Sequence, residues 1–256
     1  MIIELKSVGK IFPKSQFRLD DISFNIEEGE IVGLIGSNGT GKSTILKMIN
    51  GLIPYDKGNI YYQGKEVKSF SDNKLRQMRK DIAYIFQNHN LLAGESVYYH
   101  LALVYKLNHQ KVNHDAINDI LDFLGLMDLK QVKCHSLSGG QQQKVAIAMA
   151  VLQKPKLILC DEISSALDTN SEKEIFNLLS DLREKEIFNL LSDLREKYGI
   201  SILMIAHHLS LLKQYCDRVM ILDHQTIVDT VVPVKATLNQ LKSNYVDQVK
   251  EFLLHD

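Results

Sequence analysis

The sequence predicts an α/β fold, with a mostly parallel sheet, antiparallel strands near the N-terminus and an inserted helical subdomain. Three observations support this prediction. A continuous apolar run at 31–35 passes through a glycine-rich turn into a helix, which is a strand–loop–helix unit. Strand and helix patterns alternate before residue 88 and after residue 153. Between these limits only helical periodicity occurs, so we expect a helical subdomain across about 88–153.

The glycine-rich turn has the residues of a phosphate-binding loop. The segment IVGLIGSNGTGKST, residues 31–44, contains G-x-x-x-x-G-K-[ST] between a strand and a helix, as the motif requires. Its glycines allow backbone N–H groups to surround phosphate oxygens, and the start of the next helix favours anions. A chance match has odds of about one in a hundred from average composition. The predicted loop residues are Gly36, Ser37, Asn38, Gly39, Thr40, Gly41, Lys42, Ser43 and Thr44.

Composition and charge restrict the class of protein. The 256 residues, 45% of them hydrophobic, suffice for one large domain with a subdomain. The net charge of −1 gives no electrostatic attraction to nucleic acid, and no nucleic-acid partner is expected. Cys134, Cys160 and Cys216 lack metal-ligand spacing and suit a reducing compartment. Without a signal-peptide pattern or a membrane-spanning apolar stretch, we expect a soluble, cytoplasmic protein, and any membrane role would run through a partner.

Apolar periodicity and turn residues locate the elements along the chain. We predict strands at 2–8, 19–26, 31–35, 58–62, 82–86, 157–160, 201–206 and 219–222. We predict helices at 44–50, 72–79, 97–107, 115–124, from Ser138, after Asp168 and at 209–215. Ser138 is a suitable N-cap, because its hydroxyl can accept from a free N–H of the first turn. The domain is expected to span 1–232, followed by a short tail at 233–256 with amphipathic helical patterns at 235–254.

A tandem duplication lies inside the predicted long helix. The twelve residues EKEIFNLLSDLR at 172–183 recur without change at 184–195. Twelve residues advance an α-helix by about three turns plus 120°, so the apolar faces of the two copies point in different directions. Only one copy can therefore fill a given place in the core, and the other should bulge out or extend the helix. A cloning or assembly artefact is the alternative explanation.

Four further segments follow the phosphate loop at the spacings expected for one specific class of ATPase. They are LSGGQ at 137–141, an apolar strand ending in Asp161-Glu162, the segment SALD ending at Asp168, and His207 after a later strand. Together with Gln87, they resemble the nucleotide-binding subunits of ABC transporters over about residues 2–230. The LSGGQ segment is the most specific part of this resemblance.

The resemblance implies a role for each of these side chains. ATP and Mg²⁺ are the expected cofactors, with Lys42 on the β- and γ-phosphates and Ser43, Gln87 and Asp161 at the metal. Glu162 would orient or deprotonate the attacking water, which Gln87 would also contact, and His207 would contact the γ-phosphate. Taken alone, Gln87 is more often a surface residue and a histidine such as His207 a structural one. The alternative for the two acids is that they are solvated loop charges. Phe12 stands where this family stacks an aromatic ring on adenine, although a core or loop phenylalanine is the alternative.

The resemblance also implies a second subunit and membrane partners. In this family the LSGGQ segment of one subunit closes the ATP site of another across a two-fold interface. Here Ser138, Gly139, Gly140 and Gln141 would face the γ-phosphate of the ATP bound by the second subunit of a homodimer. Asp168 is a further candidate nucleotide-binding residue. Permease subunits in the membrane would bind a groove formed by the helical subdomain and the Gln87 loop. The protein would then sit at the inner face of the cell membrane.

The sequence departs from the family pattern at several positions. Ile163 and Ser164 replace the usual proline and threonine, Met149 replaces an arginine, and His208 replaces an acidic residue. None of these changes removes a catalytic group, so we still expect hydrolysis, with a weakened local ion pair. The duplication lies between Asp168 and His207 and could displace either.

The transported solute is the least specified property. FQNHNLL at 86–92 is similar to amino-acid importers, particularly the methionine type, which usually carry a C-terminal domain larger than the residues after Val232. Other membrane-complex ATPases of the cell-division or lipoprotein-release type, and soluble ATPases such as those of iron–sulfur assembly, are the alternatives.

Overall fold

A computed structural model describes residues 1–13, 17–161, 173–233 and Leu254, with side chains of the long helix described from Glu184 onward. Its strands are β1 (Ile3–Ile11), β2 (Arg18–Ile26), β3 (Ile31–Ile35), β4 (Lys57–Tyr62), β5 (Lys65–Glu66), β6 (Ile82–Ile85), β7 (Leu157–Cys160), β8 (Ser201–Ile205), β9 (Arg218–Asp223) and β10 (Thr226–Val231). Its α-helices are α1 (Lys42–Ile49), α2 (Asp72–Asp81), α3 (Val97–Leu107), α4 (His114–Phe123), α5 (Gly139–Leu152), α6 (Lys173–Tyr198) and α7 (Leu209–Tyr215). The predicted tail helices fall outside the described residues, apart from Leu254.

A six-stranded sheet forms the centre of the molecule, in the order β10-β9-β3-β8-β7-β6. Every pair from β9 to β6 is parallel, and only β10 runs antiparallel to its neighbour. All residues of β3, β7 and β8 are buried, as expected for parallel strands covered on both faces. The parallel pairing brings the carboxyl ends of β3, β8, β7 and β6 to one edge, where the predicted site residues follow each strand.

Two hydrophobic layers cover the faces of this sheet. On one face, α1 packs between the large sheet and an antiparallel sheet in the order β2-β1-β4-β5. On the other face, side chains of the sheet pack against α3, α4, α5, α6 and α7. The predicted α/β class, with N-terminal antiparallel strands and an added group of helices, is confirmed.

The strand β10 was missed by the sequence analysis. It pairs with β9 through a hairpin at His224 and Gln225, whose φ angles are +45° and +67°. Two consecutive positive φ values are typical of the two-residue turns whose twist suits antiparallel strands. Asparagine and glycine usually occupy such turns, so His-Gln gives no hairpin signal.

The second copy of the duplicated segment fills the core. Helix α6 is continuous over 26 residues and contains most of the first copy and all of the second. Five apolar residues of the second copy are buried: Ile187, Phe188, Leu190, Leu191 and Leu194. Polar residues of the same copy also bind the body of the protein, because Glu186 pairs with Lys144 at 2.6 Å and Arg195 with Asp217 at 3.1 Å. The side chains of the first copy lie outside the described residues.

The duplication supplies its own matched control for this packing. Leu191 is fully buried, so Leu191→Ala should lower the free energy of unfolding by about 2–5 kcal/mol. Leu179→Ala, the same change in the first copy, should cost much less, because Leu191 already occupies the core position. Denaturant unfolding of the two single variants and the double variant measures both effects. Small losses in each single variant and a large loss in the double variant would instead mean that either copy can fill the core.

Candidate functional site

The predicted phosphate loop joins the carboxyl end of β3 to the start of α1. Gly41 is the N-cap of α1 and has a φ angle of +104°. Residues that carry a side chain rarely adopt this backbone conformation. Gly36 approaches β9 so closely that a Cβ atom there would lie 2.3 Å from the carbonyl oxygen of Leu222. Both glycines are therefore required by the path of the loop.

Lys42 lies within this loop and is almost fully buried. Its Nζ donates hydrogen bonds to the carbonyl oxygens of Gly36 at 2.7 Å and Ser37 at 3.0 Å. Thr40 also donates its hydroxyl to the Ser37 oxygen, at 2.8 Å. These bonds hold a positive charge against the inner side of the loop, where an anionic ligand would be attracted.

An open pocket of about 380 Å³ lies beside the loop. The described residues that line it are Phe12, Phe17, Gly39, Gly41, Lys42, Ser43 and Thr44. Phe12 and Phe17 place two aromatic rings there, with centroids 5.8 Å apart. The pocket thus combines aromatic surface with a cationic, N–H-rich loop, which suits a ligand that has a flat ring and phosphates. Phe17 was not predicted, because the loop before β2 carries no signal of its contact with the phosphate loop.

Asp161 connects three segments at the edge of the large sheet. It follows β7, is buried, and accepts the Ser43 hydroxyl on Oδ1 at 2.6 Å. Its second oxygen, Oδ2, accepts the hydroxyl of Tyr84 on β6, also at 2.6 Å. Burial and the bond to Asp161 raise the pKa of Tyr84, so this hydroxyl remains a proton donor at neutral pH. Tyr84 was not predicted, although a tyrosine in the apolar strand IAYI was an available signal.

The oxygens of Ser43 and Asp161 are suitable ligands for Mg²⁺. Magnesium prefers hard oxygen ligands and usually takes only one or two from protein, the rest coming from water and phosphate. Within the described part of the chain, no group of three or more His, Cys, Asp or Glu side chains could hold a metal ion. Two protein oxygens, with water and phosphate supplying the remaining ligands, fit an ion that is bound chiefly through a nucleotide.

The cysteine thiols are not candidate nucleophiles. Cys160, next to Asp161, and Cys216 are both fully enclosed. Burial raises the pKa of each thiol, which disfavours the reactive thiolate.

Ser138 begins α5 with a capping box. Its hydroxyl accepts from the Gln141 N–H at 3.2 Å, and the Gln141 side chain accepts from the Ser138 N–H at 2.9 Å. The first turn contains Gly139 and Gly140 and has no acidic residue, which leaves an exposed helix start with partial positive charge. None of the four residues 138–141 is among the described residues that line the pocket of the same chain.

Two of the predicted catalytic residues are exposed at the carboxyl edge of the large sheet. Gln87 follows β6 and His207 follows β8, each separated from its strand by one residue. The predictions for Glu162 and Asp168 concern residues outside those that the structure describes. His208, at a position where the sequence departs from the family pattern, lies 3.4 Å from Glu184 of the second copy. The duplicated segment therefore contacts the chain directly after His207.

A buried histidine orders the loop after Gln87, and a backbone hydrogen bond joins this loop to the turn before Ser138. His100 Nε2 accepts a hydrogen bond from the N–H of Leu92 at 2.8 Å. The proton of the neutral ring is therefore on Nδ1, which donates to the Ser96 carbonyl oxygen at 2.8 Å. The N–H of Cys134 also donates to the Glu95 carbonyl oxygen at 2.9 Å. The segment 92–96 and the turn at 134–136 therefore form one bonded unit.

No helix in the described residues has the length and apolar character that crossing a membrane requires.

Comparison with known proteins gives the family. A family model described as ABC transporter matches residues 19–165. The chain is 39% identical over 231 residues to the methionine import ATP-binding protein MetN of Clostridium acetobutylicum, covering 90% of this chain and 68% of that protein. It is 38% identical over 230 residues to MetN of Clostridioides difficile, covering 89% and 68%.

Solved structures show the same fold. The structure of cbiO1 from Clostridium perfringens, part of the ABC transporter complex cbiONQ, matches with a TM-score of 0.76 at 26% identity, covering 90% of this chain and 87% of that one. The cassette MJ0796, solved as a dimer bound to ADP and Pi, matches with a TM-score of 0.75 at 25% identity, covering 93% and 100%. The chain therefore belongs to the ABC transporter family, as an ATP-binding subunit that hydrolyses ATP.

Proposed function

We propose that this ATPase drives the import of an amino acid, with methionine as the first candidate. The observation that carries this proposal is the similarity to methionine import proteins along nine-tenths of the chain. The protein would work as a homodimer attached to permease subunits at the inner face of the cell membrane.

The phosphate loop and Asp161 would bind ATP together with Mg²⁺. Phe12, with Phe17 beside it, would contact the adenine, and the loop N–H groups and Lys42 would bind the phosphates. Ser43 and Asp161 would hold the magnesium ion, because their oxygens already meet at 2.6 Å. When bound, the ion would neutralise charge on the β- and γ-phosphates.

Three polar residues would complete the hydrolytic site. Glu162 would orient or deprotonate the water, and Gln87 would contact that water and the metal. His207 would donate a hydrogen bond to the γ-phosphate. Phosphoryl transfer requires positioning and charge neutralisation more than covalent chemistry, which suits a set of polar side chains on several loops.

The start of α5 would supply the remaining donors to the ATP of a second subunit. Ser138 and Gly140 would bind the γ-phosphate, and the helix dipole would favour its negative charge. The exposed position of this helix start, outside the pocket of its own chain, supports an arrangement in which two subunits pair head to tail. Closure on ATP and reopening after hydrolysis would move the attached permease subunits.

A groove on the helical subdomain is the proposed permease-binding surface. It has a volume of about 490 Å³ and runs between α4, the end of α5 and the segment that enters β8. Ile120, Val151 and Pro155 give it an apolar floor, while Asp119 and Lys154 supply opposite charges. An amphipathic helix of a permease would suit this combination. Gln87 is not among the described residues that line this groove. The contribution of the Gln87 loop to the permease-binding surface stays a prediction.

Two serine N-caps provide a test of the composite site. Ser138 caps α5 and Ser96 caps α3, each through a hydrogen bond to a backbone N–H of the first turn. Each serine-to-alanine change should lower the free energy of unfolding by about 1 kcal/mol. Only Ser138→Ala should also lower kcat for ATP, by about tenfold or more, because it removes a donor to the γ-phosphate. Equal kcat values in the two variants would contradict the composite site.

Uptake of labelled methionine tests the proposed import. Deleting the gene in the source organism should lower uptake severalfold, and the wild-type gene should restore it. The Lys42→Ala variant should not restore uptake, because the phosphate loop loses its positive charge. Unchanged methionine uptake with loss of another amino acid would overturn the methionine assignment, and unchanged uptake of all amino acids would overturn the import function.

A further inference from the structure

We propose that Tyr84 is a positioning residue that fixes the Asp161 carboxylate for the magnesium ion of ATP. The proposal rests on the magnesium role assigned to Asp161 in the proposed function. Tyr84 lies outside the sequence motifs and is an addition to the residues of the proposed magnesium site.

The geometry gives Tyr84 a role different from that of Ser43. The two hydroxyls bind opposite oxygens of Asp161, each at 2.6 Å, so together they fix the plane of the carboxylate. Ser43 is itself a proposed metal ligand, and its bond to Oδ1 would change when the ion binds. The bond from Tyr84 to Oδ2 can persist and would then be the one that holds the carboxylate in orientation. Hydrogen bonds that orient a ligating carboxylate typically raise its affinity for the metal.

The position of Tyr84 in the fold supports this role. Tyr84 lies on β6 and pairs in register with Leu159 on β7, two residues before Asp161. Its ring packs against Phe86, with centroids 4.4 Å apart, and Phe86 immediately precedes Gln87. One rigid side chain therefore contacts both the magnesium carboxylate and the segment that carries the proposed water-binding glutamine.

The chain contains a matched control for deletion of this hydroxyl. Tyr62 on β4 donates its hydroxyl to Asp81 Oδ2, also at 2.6 Å, in the layer with the antiparallel sheet. Tyr62→Phe and Tyr84→Phe therefore remove the same group from the same type of bond. A purely structural role for both tyrosines predicts the same consequences for the two variants.

The test measures binding of a fluorescent ATP analogue to the full chain over a range of Mg²⁺ concentrations, beginning in EDTA. Tyr84→Phe should raise the Mg²⁺ concentration for half-maximal enhancement by about tenfold or more. Its affinity for the analogue in EDTA should stay within about twofold of the wild type, since the phosphate loop is unchanged. Tyr62→Phe should match the wild type in both measurements, and thermal unfolding verifies that both variants fold.

An unchanged Mg²⁺ dependence in Tyr84→Phe would overturn the proposal. Equal shifts in the two variants would also overturn it, because the effect would then be one of general stability. A wild-type protein whose binding does not respond to Mg²⁺ would overturn the magnesium role in the proposed function, and the role of Tyr84 with it.

Discussion

The parallel pairing of β3, β8, β7 and β6 brings the ends of four chain segments to one edge of the large sheet. The phosphate loop, Asp161, Gln87 and His207 all depend on this pairing, because each lies just beyond one of these strands. A shift of one residue in β3, β7 or β8 would move each side chain from one hydrophobic layer to the other and disturb the packing of both. The apolar packing on both faces of the sheet therefore also fixes the register of the edge that carries the candidate site.

At this edge, Asp161 links the strands to the phosphate loop. A buried carboxylate is costly unless its oxygens are paired, and here Ser43 and Tyr84 each bind one of them. These bonds join β7 to the first turn of α1 and to β6. The same interaction that stabilises a buried charge thus aligns the oxygens that would hold magnesium.

Much of the site could be predicted from sequence because its parts are local motifs. The phosphate loop and the Ser138 cap depend on residues that are adjacent in the chain, and each lies where its motif indicates. A tyrosine in the apolar strand IAYI is a local signal for Tyr84, but its partner is set by strand register. The partners of Phe17 are set by loop packing, which local patterns do not contain. The two identical copies in α6 offered no local basis for choosing between them, and only their surroundings place the second in the core.

ATP-dependent dimerisation tests most directly whether two chains form the proposed composite ATP site. The measurement is light scattering on Glu162→Gln with ATP and Mg²⁺, beside the double variant that also carries Gly140→Asp. Loss of the proposed base should trap the closed dimer. A carboxylate at Gly140 should abolish that dimer, because it would face the negative γ-phosphate. A Glu162→Gln protein that stays monomeric, or a dimer that forms equally well with Gly140→Asp, would contradict the account.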